Sequence, residues 1–159
     1  MNSNPVTLDQ FRASLLAVLE ETFESVQGIY LDKGTSLFET LDAISAEDAS
    51  KATAPSRSTI AAHAYHLCFY LDAVLRSIRA EAVGTINWRE SWKVQHVTKD
   101  EWEALQARAR HSYTDVLAAV KGMDAWDRPG DVTDSLAILA HTAYHLGAIR
   151  LALGVVLQD

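Results

Sequence analysis

From Leu136 to Leu157 the sequence is apolar on nearly every face that a helix could present. Leu136, Ile138, Leu139, Leu146, Ile149, Leu151, Leu153 and Val155 leave no continuous polar side. A helix of that kind must be mostly buried, either among other helices or in lipid. His141, His145 and Arg150 interrupt the tract and make it too polar for a comfortable membrane span. The rest of the chain must then provide the apolar surface that covers it. With 48% apolar residues in 159, it has enough to build such a core, and the length suits one domain over residues 1–159.

The remaining sequence supplies three more helices. Seven glycines and three prolines fall in few places, as expected for long helices joined by short loops. Thr7 and Gln10 have the spacing of a capping box, which opens the first helix. Phe11, Leu15, Val18, Leu19, Phe23 and Val26 then recur at threes and fours, and Gly28 and Gly34 bracket the end. Thr35 to Ala54 reads as a connector with a short turn at Ser45–Asp48, closed by Pro55. A second helix is expected from about Ser58 to Ala82, with Ile60, Ala64, Leu67, Leu71, Val74, Leu75 and Ile78 on its stripe and Gly84 as its stop. Residues 85–97, with Trp88 and Trp92, read as a long loop over the helices. Thr98 and Glu101 form another capping box, and Thr133 is the expected cap of the fourth helix. No region alternates with period two over a useful length, so no strand competes. The fold expected is all-α, an antiparallel four-helix bundle.

Charge and cysteine usage narrow the function classes. Lys and Arg total 14 against 21 Asp and Glu, a net charge of −7. Such a chain repels phosphate backbones, and no basic stripe offsets this, so no nucleic-acid partner is expected. A single cysteine, Cys68, cannot form an internal disulfide and fits a reducing cytoplasm. Met1–Pro5 has neither a basic start nor an apolar run after it, and no targeting signal or membrane partner is read from it. No phosphate-cradling loop, dinucleotide fingerprint or Ser–His–Asp signature occurs.

Six histidines are present, and four of them lie in two of the expected helices. His141 and His145 are four residues apart, so they project from the same face of one helix, a turn apart. In an apolar helix each ring nitrogen needs a partner, and a metal ion would satisfy one nitrogen of each. Imidazole suits zinc, nickel, iron and copper. The second helix offers two candidates for a third ligand, His63 and His66. At ~100° of rotation per residue, His63 lies nearer the centre of the Ile60–Leu67–Val74 stripe, so periodicity favours His63. His96, in the loop, and His111, in the third helix, read as exposed. Cys68 reads as a small core residue, and Tyr70, four residues after His66, could approach the metal or its water.

Two segments also carry a resemblance. Ser58-Thr59-Ile60-Ala61-Ala62-His63-Ala64-Tyr65-His66-Leu67 and His141-Thr142-Ala143-Tyr144-His145-Leu146-Gly147-Ala148-Ile149 resemble the DinB-like superfamily of small bacterial four-helix proteins. That family includes thiol-dependent S-transferases and maleylpyruvate isomerases. Its members open the second helix with Ser or Thr and place a His seven residues later, followed by an aliphatic residue; Thr59 and His66-Leu67 fit. Its fourth helix carries HxxxH, commonly with Gly two residues on; His141, His145 and Gly147 fit. The glutamine often found after that glycine is absent, with Ile149 and Arg150 in its region. The resemblance therefore implies His66, His141 and His145 as ligands of a divalent metal ion, zinc, nickel or iron.

Three neutral imidazoles leave at least one coordination position open, which is the pattern of a catalytic rather than a structural site. The resemblance implies that this position takes a low-molecular-weight thiol, with thiol transfer or isomerisation following. Metal-dependent hydrolysis and a metal-holding, stress-related bundle without turnover are the other readings. Leu8, Leu16 and Ile29 lie off the first helix's main stripe, and the fourth helix has more apolar faces than one contact can cover. This surplus predicts a homodimer, as does the resemblance. The Trp88–Trp92 loop could anchor that interface or cap the metal pocket.

Overall fold

The computed structural model describes residues 5–53, 58–82, 84–123 and 125–158. Met1–Asn4 and the expected stop at Pro55 lie outside them. The described residues form α1 (Leu8–Phe23), α2 (Leu37–Asp42), α3 (Ala46–Ala49), α4 (Ile60–Ile78), a 3-10 turn (Glu90–Trp92), α5 (Lys99–Lys121) and α6 (Asp131–Val156), with no strand among them. The chain is thus an all-α bundle built on four long helices, α1, α4, α5 and α6.

Local chemistry sets most of the helix starts. Thr7 and Gln10 cap α1 reciprocally, as do Thr98 and Glu101 on α5. Ser36 and Glu39 form a third capping box and open α2, turning part of the expected connector into a helix. Thr59 caps α4 by accepting from the Ala62 N–H. At α6 the sequence expectation fails. The helix begins at Asp131, and Thr133 lies inside it. Gly130, at φ 107, makes the turn into the helix, and Asp131 accepts from the Arg128 backbone N–H at 3.1 Å.

Two helices end earlier than their apolar patterns suggest. Helix α1 stops at Phe23, ahead of Val26 and Gly28. The cause is Glu21, which is fully buried. Its carboxylate accepts from the backbone N–H groups of Gln27 (2.8 Å), Ile29 (2.7 Å), Tyr30 (2.6 Å) and Leu31 (2.7 Å). These four bonds fold the following segment back and replace the helical partners it forgoes. Helix α4 ends at Ile78 rather than Ala82, where Ala80 turns to φ 54.

Pairings across the bundle fix the helix directions. Phe11 meets Trp126 and Phe23 stacks on Tyr113, so α1 and α5 are antiparallel. His66 meets His141, and Ser77 bonds Asp134, so α4 and α6 are antiparallel too. Asp72 pairs with Arg108 and Arg79 with Asp115, so α4 and α5 run parallel, joined by the crossover that holds the 3-10 turn. The core between them contains Leu19, Phe23, Ile60, Leu67, Leu71, Val116, Ile138 and Ile149. Trp102 is buried in it and donates to the Ile44 carbonyl at 2.8 Å.

Helix α6 is less enclosed than its composition implies. Ile138, Thr142, His145, Leu146 and Ile149 are buried, whereas Leu136, Tyr144, Leu151, Val155 and Leu157 are exposed. By length and composition alone α6 could cross a membrane, with 26 residues and an 18-residue stretch of mean hydropathy 1.3, despite its two histidines and Arg150. In the structure its buried face packs against α4 and α1.

Candidate metal centre

Helices α4 and α6 approach where both carry histidines. One ring nitrogen each from His66, His141 and His145 lies within 4.8 Å of the others, and the cluster includes no carboxylate or thiol among the described residues. His66 and His145 are buried and His141 is half-buried. His66 Nε2 and His141 Nε2 stand 3.1 Å apart.

Hydrogen bonding around His66 determines where its proton sits. Ser91 Oγ donates its one proton to the Trp88 carbonyl at 2.7 Å. It can therefore only accept from His66 Nδ1, also at 2.7 Å. His66 is then the Nδ1–H tautomer, and the bare lone pair of Nε2 faces the cluster. Ser91 is fully buried in the 3-10 turn, so this partner is set by the fold.

Burial makes all three rings poor bases. Desolvation, then the neighbouring histidines, pushes His145 down to about 3 and His141 down to about 4; burial lowers His66 as well. Unprotonated rings are what a metal requires. A tetrahedral zinc ion with Zn–N of about 2.0–2.1 Å would set its ligand nitrogens about 3.3 Å apart. The donor chemistry and the short His66–His141 separation fit a divalent ion.

Aromatic rings surround the cluster. Trp92 stacks on His66 with centroids 4.1 Å apart, and Tyr70 stacks on His141 at 3.7 Å. Trp88 packs on Phe69 and lies 6.4 Å from His66. The 85–97 segment thus lies over the histidines, as one of the two roles open to it requires. Tyr70 reaches the site through its ring face.

His63, favoured by periodicity, stands outside the group of three but touches it. Its Nδ1 is 3.0 Å from His145 Nδ1, and Trp92 meets its ring edge-on. It also lines a cavity of about 550 Å³, together with Tyr144, Ala148 and Leu151. His96 and His111 are exposed and apart from the site. Cys68 is fully buried in the core, and burial pushes its thiol up to about 12. Ser91 was not legible as a partner of the site. It lies in a loop without periodicity, and only the crossover brings it to His66.

No curated protein and no solved structure matches the chain. The sequence profile of the DinB superfamily does match, over residues 31–149, from the segment after α1 into α6. That span takes in α4, the crossover and all three clustered histidines, and on it the chain belongs to the DinB superfamily.

Proposed function

We propose that the protein holds a divalent metal ion through His66, His141 and His145 and is a metal-dependent enzyme for a small molecule, of the thiol-transferase type. The observation behind this reading is the donor set: three neutral imidazoles whose cluster includes, among the described residues, no carboxylate or thiol to close the coordination sphere. A divalent ion held this way lowers the pKa of a bound water or thiol and polarises a carbonyl. The residues do the rest. Ser91 fixes the tautomer of His66, and Trp92 and Tyr70 exclude water from one side of His66 and His141. Within the superfamily a low-molecular-weight thiol suits the open position.

A second reading, a metal-holding bundle without turnover, draws on the same aromatic cover, which restricts access to the ion. The two separate in one experiment. Protein purified without a histidine tag is analysed for metal and then titrated with cellular thiols, with cobalt in place of the native ion. About one ion per chain and a thiolate-to-cobalt charge-transfer band support the enzyme reading. Metal without any thiol response supports the second reading, and the absence of metal binding rejects both.

A further inference from the structure

His63 contacts the site without belonging to it, and the proton inventory gives that contact a direction. His63 Nδ1 and His145 Nδ1 are 3.0 Å apart, so one proton lies between them. If His145 offers Nε2 to an ion, its own proton must reside on Nδ1 and be donated outward. His63 Nδ1 is the acceptor in reach.

We propose that His63 is a positioning residue of the metal centre, holding His145 by accepting from its Nδ1–H so that Nε2 faces the ion. The inference rests on the three-histidine reading above. It gives His145 what Ser91 gives His66, namely a hydrogen-bond partner opposite the inward nitrogen. The two supports come from different places, one from α4 a turn before His66 and one from the crossover. His63 is itself held in orientation, since the Trp92 ring meets it edge-on at 5.3 Å. Its remaining proton is then on Nε2, which has no hydrogen-bond partner among the described residues. His63 also lines the 550 Å³ cavity, so its free N–H is a donor for a carbonyl or hydroxyl group of a molecule seated there.

The test compares cobalt and zinc affinity, by chelator competition, in wild type, His63→Leu and His63→Asn. Leucine fills the space without an acceptor, whereas the Asn carbonyl oxygen stands where His63 Nδ1 stands. His63→Leu is expected to weaken metal binding about 10–100-fold and to shift the cobalt d–d bands, and His63→Asn to restore both. Equal affinity in His63→Leu, or no recovery in His63→Asn, overturns the proposal. Wild type that binds neither metal overturns the three-histidine reading instead. A measurement on unaltered protein guards against variants that fail to fold: long-range ¹H–¹⁵N spectra of the zinc-loaded wild type. These should show His145 protonated on Nδ1 and His63 on Nε2; zinc on His145 Nδ1, or a proton on His63 Nδ1, overturns the proposal.

Discussion

Two side chains, the half-buried His141 and the fully buried Glu21, invite contrasting substitutions. Replacing His141 by Ala should cost metal affinity more than the roughly 10–100-fold expected for loss of an outer partner, because a proposed ligand itself is removed. The helical content should be unchanged, since the core beneath the site is formed by apolar side chains such as Ile138 and Ile149. Metal analysis with circular dichroism checks both; loss of helix in His141→Ala would make the ion structural. Glu21 tests stability against pH. Burial alone would raise its pKa, but the four backbone N–H donors outweigh this and bring it from an ordinary 4.5 to about 2. A carboxyl group depressed on folding stabilises the fold above its unfolded pKa, and that contribution is lost as pH falls from about 4.5 through about 2. Urea titrations across that range should show falling stability in wild type and a flatter profile in Glu21→Gln. An unchanged slope would mean that the four bonds to the Glu21 carboxylate do not couple to folding. Residue-level legibility in the sequence was uneven. The HxxxH pair was visible because both residues share one helical face. Periodicity alone pointed to His63, because the stripe's centre marks the middle of the buried face, whereas the histidine cluster lies at the α4–α6 contact; the resemblance, through the spacing from Thr59, pointed to His66, the residue that the structure groups with His141 and His145.

Among the elements, the crossover between α4 and α5 is the one that sequence described least. Its two tryptophans and Ser91 have no period, so the order of residues leaves open whether they meet α4 and α6 or an interface. The helices themselves were readable from capping boxes at Thr7 and Thr98 and from their apolar spacing. Errors gathered at ends decided by longer-range or unusual backbone chemistry: Glu21 at the end of α1, Gly130 at the start of α6. Ser91→Ala tests the crossover as an element. It removes both the acceptor for His66 Nδ1–H and the bond to the Trp88 carbonyl. Metal affinity should fall about 10–100-fold, and amide hydrogen exchange across residues 88–93 should quicken while α5 stays protected. Unchanged exchange there would show that packing of Trp92 alone holds the turn.

At the scale of the whole molecule, the apolar side of α6 is the unsatisfied feature. The sequence suggested a helix buried nearly all round, but the bundle leaves Leu136, Tyr144, Leu151 and Val155 in solvent. We propose that a second copy covers them across a two-fold axis. Sedimentation at low micromolar concentration should give a species of twice the 17.5 kDa chain mass, and Leu151→Glu should halve it. A single species at the chain mass in wild type would sink the dimer. The stack of Trp92 on His66 has a further, optical consequence. Trp102 is sealed in the core, Trp126 packs on Phe11 at the other end of α1 from Phe23, and Trp88 lies 6.4 Å from His66 against 4.1 Å for Trp92, so Trp92 is the indole in closest contact with the three histidines. Zinc, with a filled d shell, should leave its emission nearly as bright as in the metal-free protein, whereas nickel or iron should quench it. Fluorescence titrations of wild type and Trp92→Phe would read that difference, and quenching that persists in Trp92→Phe would assign it to another indole. The fold thus places a light-emitting reporter of the ion's electronic character against one of the rings that would hold it.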